Sequence, residues 1–171
     1  MSAEKDKPLV FLLEDNDFFA QSVTIGLEKK RLAVVWFRNG ADLLDDLKIR
    51  RPDVIILDYQ LEGNNEKALN GGHFLEIIKA MYPEIPVLML TSLSDTREAV
   101  KLLKAGAVDF IAKDDYFFEN LHKSLADLLR AKDLSKAMKD SQRQLKKLNF
   151  RLAAVLLIVS LTIGLLILYY K

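Results

Sequence analysis

The sequence predicts an α/β domain with a five-stranded, parallel, doubly wound sheet and helices on both faces, followed by a long helical stem and one transmembrane helix. Three observations predict this organisation. Short apolar runs alternate with segments in which apolar residues recur three and four positions apart. The charge changes sign along the chain: residues 1–129 hold 16 Lys and Arg against 22 Asp and Glu, a net of −6, whereas residues 130–151 have a net of +6. Residues 152–170 contain no charged residue.

The five apolar runs are the predicted strands: 8–13 (PLVFLL), 33–37 (AVVWF), 53–57 (DVIIL), 86–90 (PVLML) and 109–112 (DFIA). Helical periodicity predicts helices over 17–30, 40–50, 71–82 and 96–106, and a fifth that begins near Phe117. Strands that are apolar on both faces and alternate with helices favour a parallel sheet that the helices cover. Trp36 and Phe37 are interpreted as packing residues of the second strand.

The C-terminal segment, residues 152–170, is predicted to span a membrane. Nineteen residues in a helix would measure ~28 Å, close to the ~30 Å thickness of a bilayer's hydrocarbon core. Basic residues precede the segment, and Tyr169 and Tyr170 lie at its far end, which is the positive-inside arrangement with an aromatic anchor. No signal-peptide pattern opens the chain. We therefore expect a single-pass anchor with the N-terminal domain in the cytoplasm; a buried core helix is disfavoured, since a helix apolar all round needs a larger protein to cover it.

The stem, residues 131–151, combines a basic composition with an apolar repeat. Five of its residues and the first residue of the anchor recur at alternating steps of four and three, namely Leu134, Met138, Ser141, Leu145, Leu148 and Leu152. That spacing predicts a short coiled coil, through which the protein would form a homodimer. A solvated basic helix beside anionic lipid headgroups is the alternative. The predicted divisions are thus a tail (1–7), a domain (8–130), the stem and the anchor (152–170).

Polar side chains stand at the carboxyl ends of the predicted strands. Glu14 and Asp15 follow the first, Asp58 the third, Thr91 the fourth and Lys113 the fifth. The carboxyl ends of parallel strands meet at one edge of the sheet, where ligands bind. Carboxylates brought together repel one another unless a cation joins them, and oxygen-only ligation suits Mg²⁺. With a Lys and a Thr to hold phosphoryl oxygens, the set predicts an aspartyl phosphate formed on Asp58.

Four motifs in order, FLLEDN, VIILD, LMLTS and GAVDFIAK, make residues 8 to about 130 resemble a response-regulator receiver domain, the phosphoacceptor of two-component signalling. The resemblance implies a flavodoxin-like fold. It also implies that Asp58 is phosphorylated and that Mg²⁺ is bound by Asp15, by Glu14 mainly through water, by Asp58, and by the backbone carbonyl of Gln60.

The resemblance further assigns residues around the phosphoryl group. Thr91 and Lys113 would contact it, and Thr91 and Phe110 would form the conformational switch, with Phe110 in the position of the family's switch aromatic. Three departures from the family pattern lie nearby. The loop over 59–70 is about five residues longer than usual, with Glu62 in place of a Pro and the family's Gly delayed to Gly71. Asp114 replaces the usual Pro after the Lys, so we expect a trans peptide there.

The function expected from these features is that of a receiver tethered to the bacterial inner membrane. A histidine kinase or a phosphotransfer protein would donate the phosphoryl group, and the output would be protein–protein contact. Catalysis would be limited to its own phosphorylation and dephosphorylation. The alternative is a receiver-fold docking module that is not phosphorylated. A phosphatase acting on other substrates is disfavoured because Gln60 occupies the position of the second Asp that such enzymes use as general acid, and nucleic-acid binding is disfavoured by the acidic domain.

Overall fold

A five-stranded parallel sheet organises the N-terminal part of the computed structural model, which describes residues 7–61, 70–92 and 96–169. The strands are β1 (Leu9–Leu13), β2 (Ala33–Phe37), β3 (Val54–Asp58), β4 (Val87–Thr91) and β5 (Asp109–Ala112). Their order across the sheet is β2-β1-β3-β4-β5, and every neighbouring pair is parallel. The predicted flavodoxin-like fold class is confirmed.

Five helices follow the strands in alternation: α1 (Asp17–Glu28), α2 (Gly40–Leu47), α3 (Gly71–Met81), α4 (Thr96–Lys104) and α5 (Phe117–Tyr169). The first three begin after an Asn. The side chains of Asn16, Asn39 and Asn70 each accept a backbone N–H from the first turn of the helix that follows. These caps satisfy donors that the helix leaves without a partner, and they fix where each helix leaves the sheet edge.

The core lies in two layers, one on each face of the sheet. Side chains alternate along β1, so that Phe11 and Leu13 face one layer while Val10 and Leu12 face the other. Helices α2, α3 and α4 cover the first face, and α1 and α5 cover the second. Because both faces are covered, strands β3 and β4 are buried along their whole length.

The direction of strand addition reverses at β1. The chain adds β2 on one side of β1 and then β3 on the other, where Leu13 is in register with Leu57. The residues that follow β1 and the last residue of β3 are therefore neighbours. Ligands of open parallel sheets bind at such a reversal, outside the carboxyl ends of the strands.

The described residues from Arg130 onward form a second unit that is entirely helical. Its side chains are exposed wherever their burial is described. By length and composition, α5 is the one helix within the described ranges that is long and apolar enough to cross a membrane, and none of its most apolar stretch is buried.

Candidate functional site

Three carboxylates meet at the reversal point. Glu14 and Asp15 directly follow β1, and Asp58 ends β3. One carboxylate oxygen from each lies within 4.8 Å of those of the other two. Glu14 is only 1% exposed and Asp58 only 2% exposed, so two of the three acids have lost nearly all contact with solvent. Such a group needs positive charge close by.

Lys113 supplies part of that charge from the end of β5. Its Nζ lies 2.9 Å from Oε2 of Glu14 and 2.9 Å from Oδ2 of Asp58. The ammonium also lies 4.4 Å from the centre of the Phe19 ring, on α1. The side chain is 16% exposed. One cation is thus shared between two acids that belong to different strands.

Lys113 does not balance the negative charge of the cluster, and the pKa values of Glu14 and Asp58 are both raised. Burial raises the pKa of Glu14 above its ordinary value, and the nearby Asp58 raises it further, while the hydrogen bond from Lys113 opposes both. Burial likewise raises the pKa of Asp58, with Lys113 opposing and Asp15 adding to the rise. Three acids and one ammonium leave room for a further cation, and an all-oxygen donor set suits a hard divalent ion such as Mg²⁺.

A cleft of about 860 Å³ opens above the cluster. Gln60 lines it, and its backbone N–H donates to Oδ1 of Asp58 at 3.2 Å. Five of the predicted site residues therefore line one cleft, namely Glu14, Asp15, Asp58, Gln60 and Lys113. An incoming group that reached Asp58 would meet the ammonium and the acids together.

The other two predicted site residues lie outside the lining of that cleft. Thr91 ends β4 and is 3% exposed, and its backbone carbonyl accepts the N–H of Lys113 at 2.8 Å. Phe110, on β5, is partly exposed and lines a different groove, together with residues of α5 such as Lys123 and Asp127. The structure thus brings Thr91 to the sheet edge beside Lys113 and leaves Phe110 apart from the acids.

Trp36 contributes to the site in a way that the sequence analysis missed. It is 37% exposed, so it packs only in part, whereas Phe37 is buried as expected. The indole Nε1 donates to the backbone carbonyl of Glu14 at 2.7 Å. Nothing in the sequence pattern marks this contact, because it depends on the pairing of β1 with β2.

The residues directly after β1 have separate roles, and the cap of α1 is not one of the acids of the cluster. Glu14 and Asp15 do not cap α1; Asn16 does, and a capping signal was readable there as an Asn immediately before a helical pattern. The N–H of Asn16 in turn donates to Oε1 of Glu14 at 3.2 Å. Asp17 lies in the first turn of α1 and forms an ion pair with Arg38.

Gly71 connects the long loop to the site. Its N–H donates to the carbonyl of Tyr59 at 3.1 Å, and a Cβ built on it would lie 1.9 Å from the carbonyl oxygen of Asp58. The backbone approaches so closely that only Gly fits. Residues 62–69 of the loop that is predicted to be longer, with the predicted Glu62 departure, lie outside the described residues. The peptide between Lys113 and Asp114 is trans, as expected.

Comparison with known proteins agrees with this geometry. The family model of the response regulator receiver domain matches residues 10–126. The chain belongs to the response regulator receiver family. Receiver-containing relatives include the nitrogen assimilation regulatory protein NtrX of Azorhizobium caulinodans and the transcriptional regulatory protein CreB of Escherichia coli, each 33% identical over 104 residues, or 61% of this chain.

The match covers only part of the length of those relatives. The chain spans 22% of the length of NtrX and 43% of the length of CreB. Among solved structures, the receiver domain of a histidine kinase from Syntrophus aciditrophicus is 29% identical to this chain, with a TM-score of 0.63. The similarity covers 72% of this chain and 91% of that structure. The stem and the apolar segment of this chain lie outside the residues that the family model matches.

Proposed function

We propose that this chain is a membrane-tethered receiver that takes a phosphoryl group onto Asp58 from a phosphohistidine of a histidine kinase or a phosphotransfer protein. One observation carries the proposal: Asp58 is buried at a strand end with Lys113 at 2.9 Å and two further acids within 4.8 Å. A buried acid that served only the structure would need a cation beside it, but not two further acids. The cleft above Asp58 gives a donor a way in.

The proposed transfer is a single displacement at phosphorus. A carboxylate oxygen of Asp58 attacks the phosphoryl group and forms the new O–P bond. The P–N bond to the donor histidine breaks, and its electron pair returns to the imidazole nitrogen. Lys113 would give one of its ammonium contacts to a phosphoryl oxygen, and the hydroxyl of Thr91, at the neighbouring strand end, would hold another. Hydrolysis of the acyl phosphate would restore the carboxylate.

The acid cluster fits Mg²⁺ by its chemistry. Asp15, Glu14 and Asp58 would hold the ion, together with the backbone carbonyl of Gln60. When bound, Mg²⁺ would neutralise carboxylate charge and polarise the phosphoryl oxygens. Without the ion, Lys113 offsets only part of the repulsion among the three carboxylates.

The C-terminal unit supports the proposed location. An uncharged helical segment follows residues 130–151, whose net charge is +6, as expected for one span with its basic flank in the cytoplasm. The protein would then lie in the bacterial inner membrane and signal by protein–protein contact. The acidic receiver argues against nucleic-acid binding, and Gln60 argues against catalysis on other phosphate esters.

Phosphorylation of the full chain in detergent micelles tests the proposal. The protein is incubated with acetyl phosphate, with and without Mg²⁺, and its intact mass is followed. The gain of one labile phosphoryl group is expected only with Mg²⁺ and only while Asp58 is present. Asp58→Ala is the test variant, and Asp42→Ala, at an exposed acid on α2, is its matched control. Folded protein that neither gains mass nor binds Mg²⁺ and beryllofluoride would establish the docking-module alternative instead.

A further inference from the structure

The stem carries an exposed apolar stripe along one side of its helix. Leu134, Met138, Leu145, Leu148 and Leu152 are each more than half exposed. We propose that this stripe pairs with the same stripe of a second copy, in a short, parallel, two-stranded coiled coil. The proposal concerns residues 130–155 alone and needs no particular placement of the receiver.

The spacing of the stripe fits a coiled-coil seam. Its steps of four and three alternate without a break from Leu134 to Leu152, so its members take the d and a positions of successive heptads. Val155 continues the repeat at the next d position and is also exposed. The one polar member, Ser141, is small enough to be accommodated, at some loss of stability.

The charges lie where a homodimer requires them. Six basic residues occupy the outer b, c and f positions, namely Lys132, Lys136, Lys139, Arg143, Lys146 and Lys147. The e and g positions that flank the seam between Arg130 and Arg151 are all uncharged, namely Ser135, Ala137, Gln142, Gln144 and Asn149. In a parallel pair of identical helices, e and g residues of the two chains face each other, so lysines there would repel. The six basic residues at these outer positions are directed away from the seam, and Arg130 and Arg151 take g positions at its two ends.

The same placement of the basic residues argues against a lipid surface as the partner that covers the stripe. A helix that lies on a bilayer keeps its lysines beside the apolar face, where their long chains reach the headgroups. Here the lysines lie on the outer positions, and the sides of the stripe are neutral between Arg130 and Arg151. Burying the stripe in lipid would direct most of the basic residues into water. A second copy covers the stripe and leaves them solvated on the outside.

The parallel direction rests on the proposed membrane anchor. Two chains anchored by the same C-terminal segment enter the bilayer from the same side, so their stems run in the same direction. Anchoring also confines the copies to one surface, which raises their effective concentration. About three heptads would then be enough for pairing that would be weak between free peptides.

A cysteine scan of the full chain tests the pairing, because the native chain contains no cysteine. Single cysteines are placed in turn at each position from 138 to 152, and the membrane-embedded protein is treated with a mild oxidant. Disulfide dimers are expected to peak at the seam positions of that range, roughly fivefold above the outer positions, because only seam Cβ atoms approach to within disulfide distance. Ser141→Cys and Arg143→Cys form the most direct seam and outer pair.

Three further results would each decide the matter. Adding Leu145→Lys and Leu148→Lys to Ser141→Cys should abolish its dimer band, whereas adding Lys146→Ala should leave it. Yields that are flat along the scan, or that peak on the basic side, would overturn the proposal. The scan requires neither Mg²⁺ nor phosphoryl transfer, so Asp58→Ala protein should give the same pattern. A failed phosphorylation test and a failed scan are therefore distinguishable.

Discussion

The indole Nε1 of Trp36 donates a 2.7 Å hydrogen bond to the backbone carbonyl of Glu14, whose carboxylate belongs to the acid cluster. Trp36 is the single Trp of the chain, so tryptophan fluorescence reports on one position next to the proposed metal site. We expect Mg²⁺ to change this fluorescence in a saturable titration. Asp15→Asn, which removes a cluster charge, should require more Mg²⁺ for the same change.

The same hydrogen bond predicts a positioning role for Trp36. Trp36→Phe keeps an aromatic ring but loses the donor to Glu14, and a lost hydrogen bond of this kind costs about 1 kcal/mol, or roughly a fivefold weaker Mg²⁺ affinity. Isothermal titration calorimetry measures the affinity without the fluorophore. Phe18→Leu, at an exposed aromatic of α1 on the edge of the cleft, is the control. An affinity equal to that of the native protein would show that the Glu14 segment holds its position without the bond.

Loss of Lys113 should affect stability and phosphorylation together. Lys113→Ala removes the one cation shared by Glu14 and Asp58, and breaking a buried ion pair costs on the order of 3 kcal/mol. We also expect phosphorylation by acetyl phosphate to slow by about 10²-fold, since a donor to the phosphoryl oxygens is lost. Urea unfolding and mass-detected kinetics measure the two effects. Lys123→Ala, at an exposed Lys of α5, should change neither.

Asp58→Asn should stabilise the protein at neutral pH when Mg²⁺ is absent. Burial raises the pKa of Asp58 in the folded state, so the folded protein binds more protons than the unfolded chain between the ordinary pKa of 3.8 and the raised value. The free energy of unfolding of the native protein therefore falls as the pH rises through that window. Asp58→Asn removes the charge and so avoids this loss. Its free energy of unfolding should be higher by on the order of 1 kcal/mol.

The pH dependence of that gain is the check on its cause. Melting temperatures of the native protein and Asp58→Asn should converge as the pH is lowered toward 3.8, because the native carboxyl then becomes protonated in the fold. Mg²⁺ at neutral pH should also reduce the difference between the two melting temperatures, since it would neutralise carboxylate charge in the native protein. A gain that stays constant across pH would indicate a packing effect and contradict the electrostatic explanation.

Gly71→Ala should damage the site through the backbone. Its Cβ would lie 1.9 Å from the carbonyl oxygen of Asp58, so β3 and the start of α3 would have to move apart, at a cost of about 3 kcal/mol or more. Thermal unfolding measures the loss. Gly72→Ala is the matched control in the same turn, because its Cβ would come no closer than 3.2 Å, to a side-chain atom of Asn70. Equal stability of the two variants would show that the backbone adapts.

The proposed anchor predicts resistance to alkaline extraction. The native protein should stay with the membrane pellet after a carbonate wash. Replacing Leu157 and Leu161 by Lys adds two charges near the middle of the segment, at about 3 kcal/mol each, and should release the protein into the supernatant. Ser160→Ala, between them, should not. Native protein recovered in the wash would contradict the anchor while leaving the receiver site unaffected.

The sequence alone was enough to predict the elements and their chemistry. Apolar runs and helical periodicity predicted all five strands and their helices to within a few residues, because burial on one or both faces leaves a local pattern in the chain. Acids at the ends of the first and third strands, with a Lys after the fifth, predicted one charged edge, since parallel strands bring their carboxyl ends together. The cap at Asn16 was not predicted, although an Asn directly before a helical pattern is a capping signal.

The tertiary structure decided which of these groups touch. Lys113 and Glu14 are 99 positions apart, and their 2.9 Å contact exists because parallel pairing brings the carboxyl ends of β1 and β5 to the same edge of one sheet. The hydrogen bond from Trp36 to Glu14 depends on the register of β1 with β2. Strand order and register arise from packing summed over the whole domain. A periodic pattern records the face on which a residue is buried, but not the distant residue that it meets there.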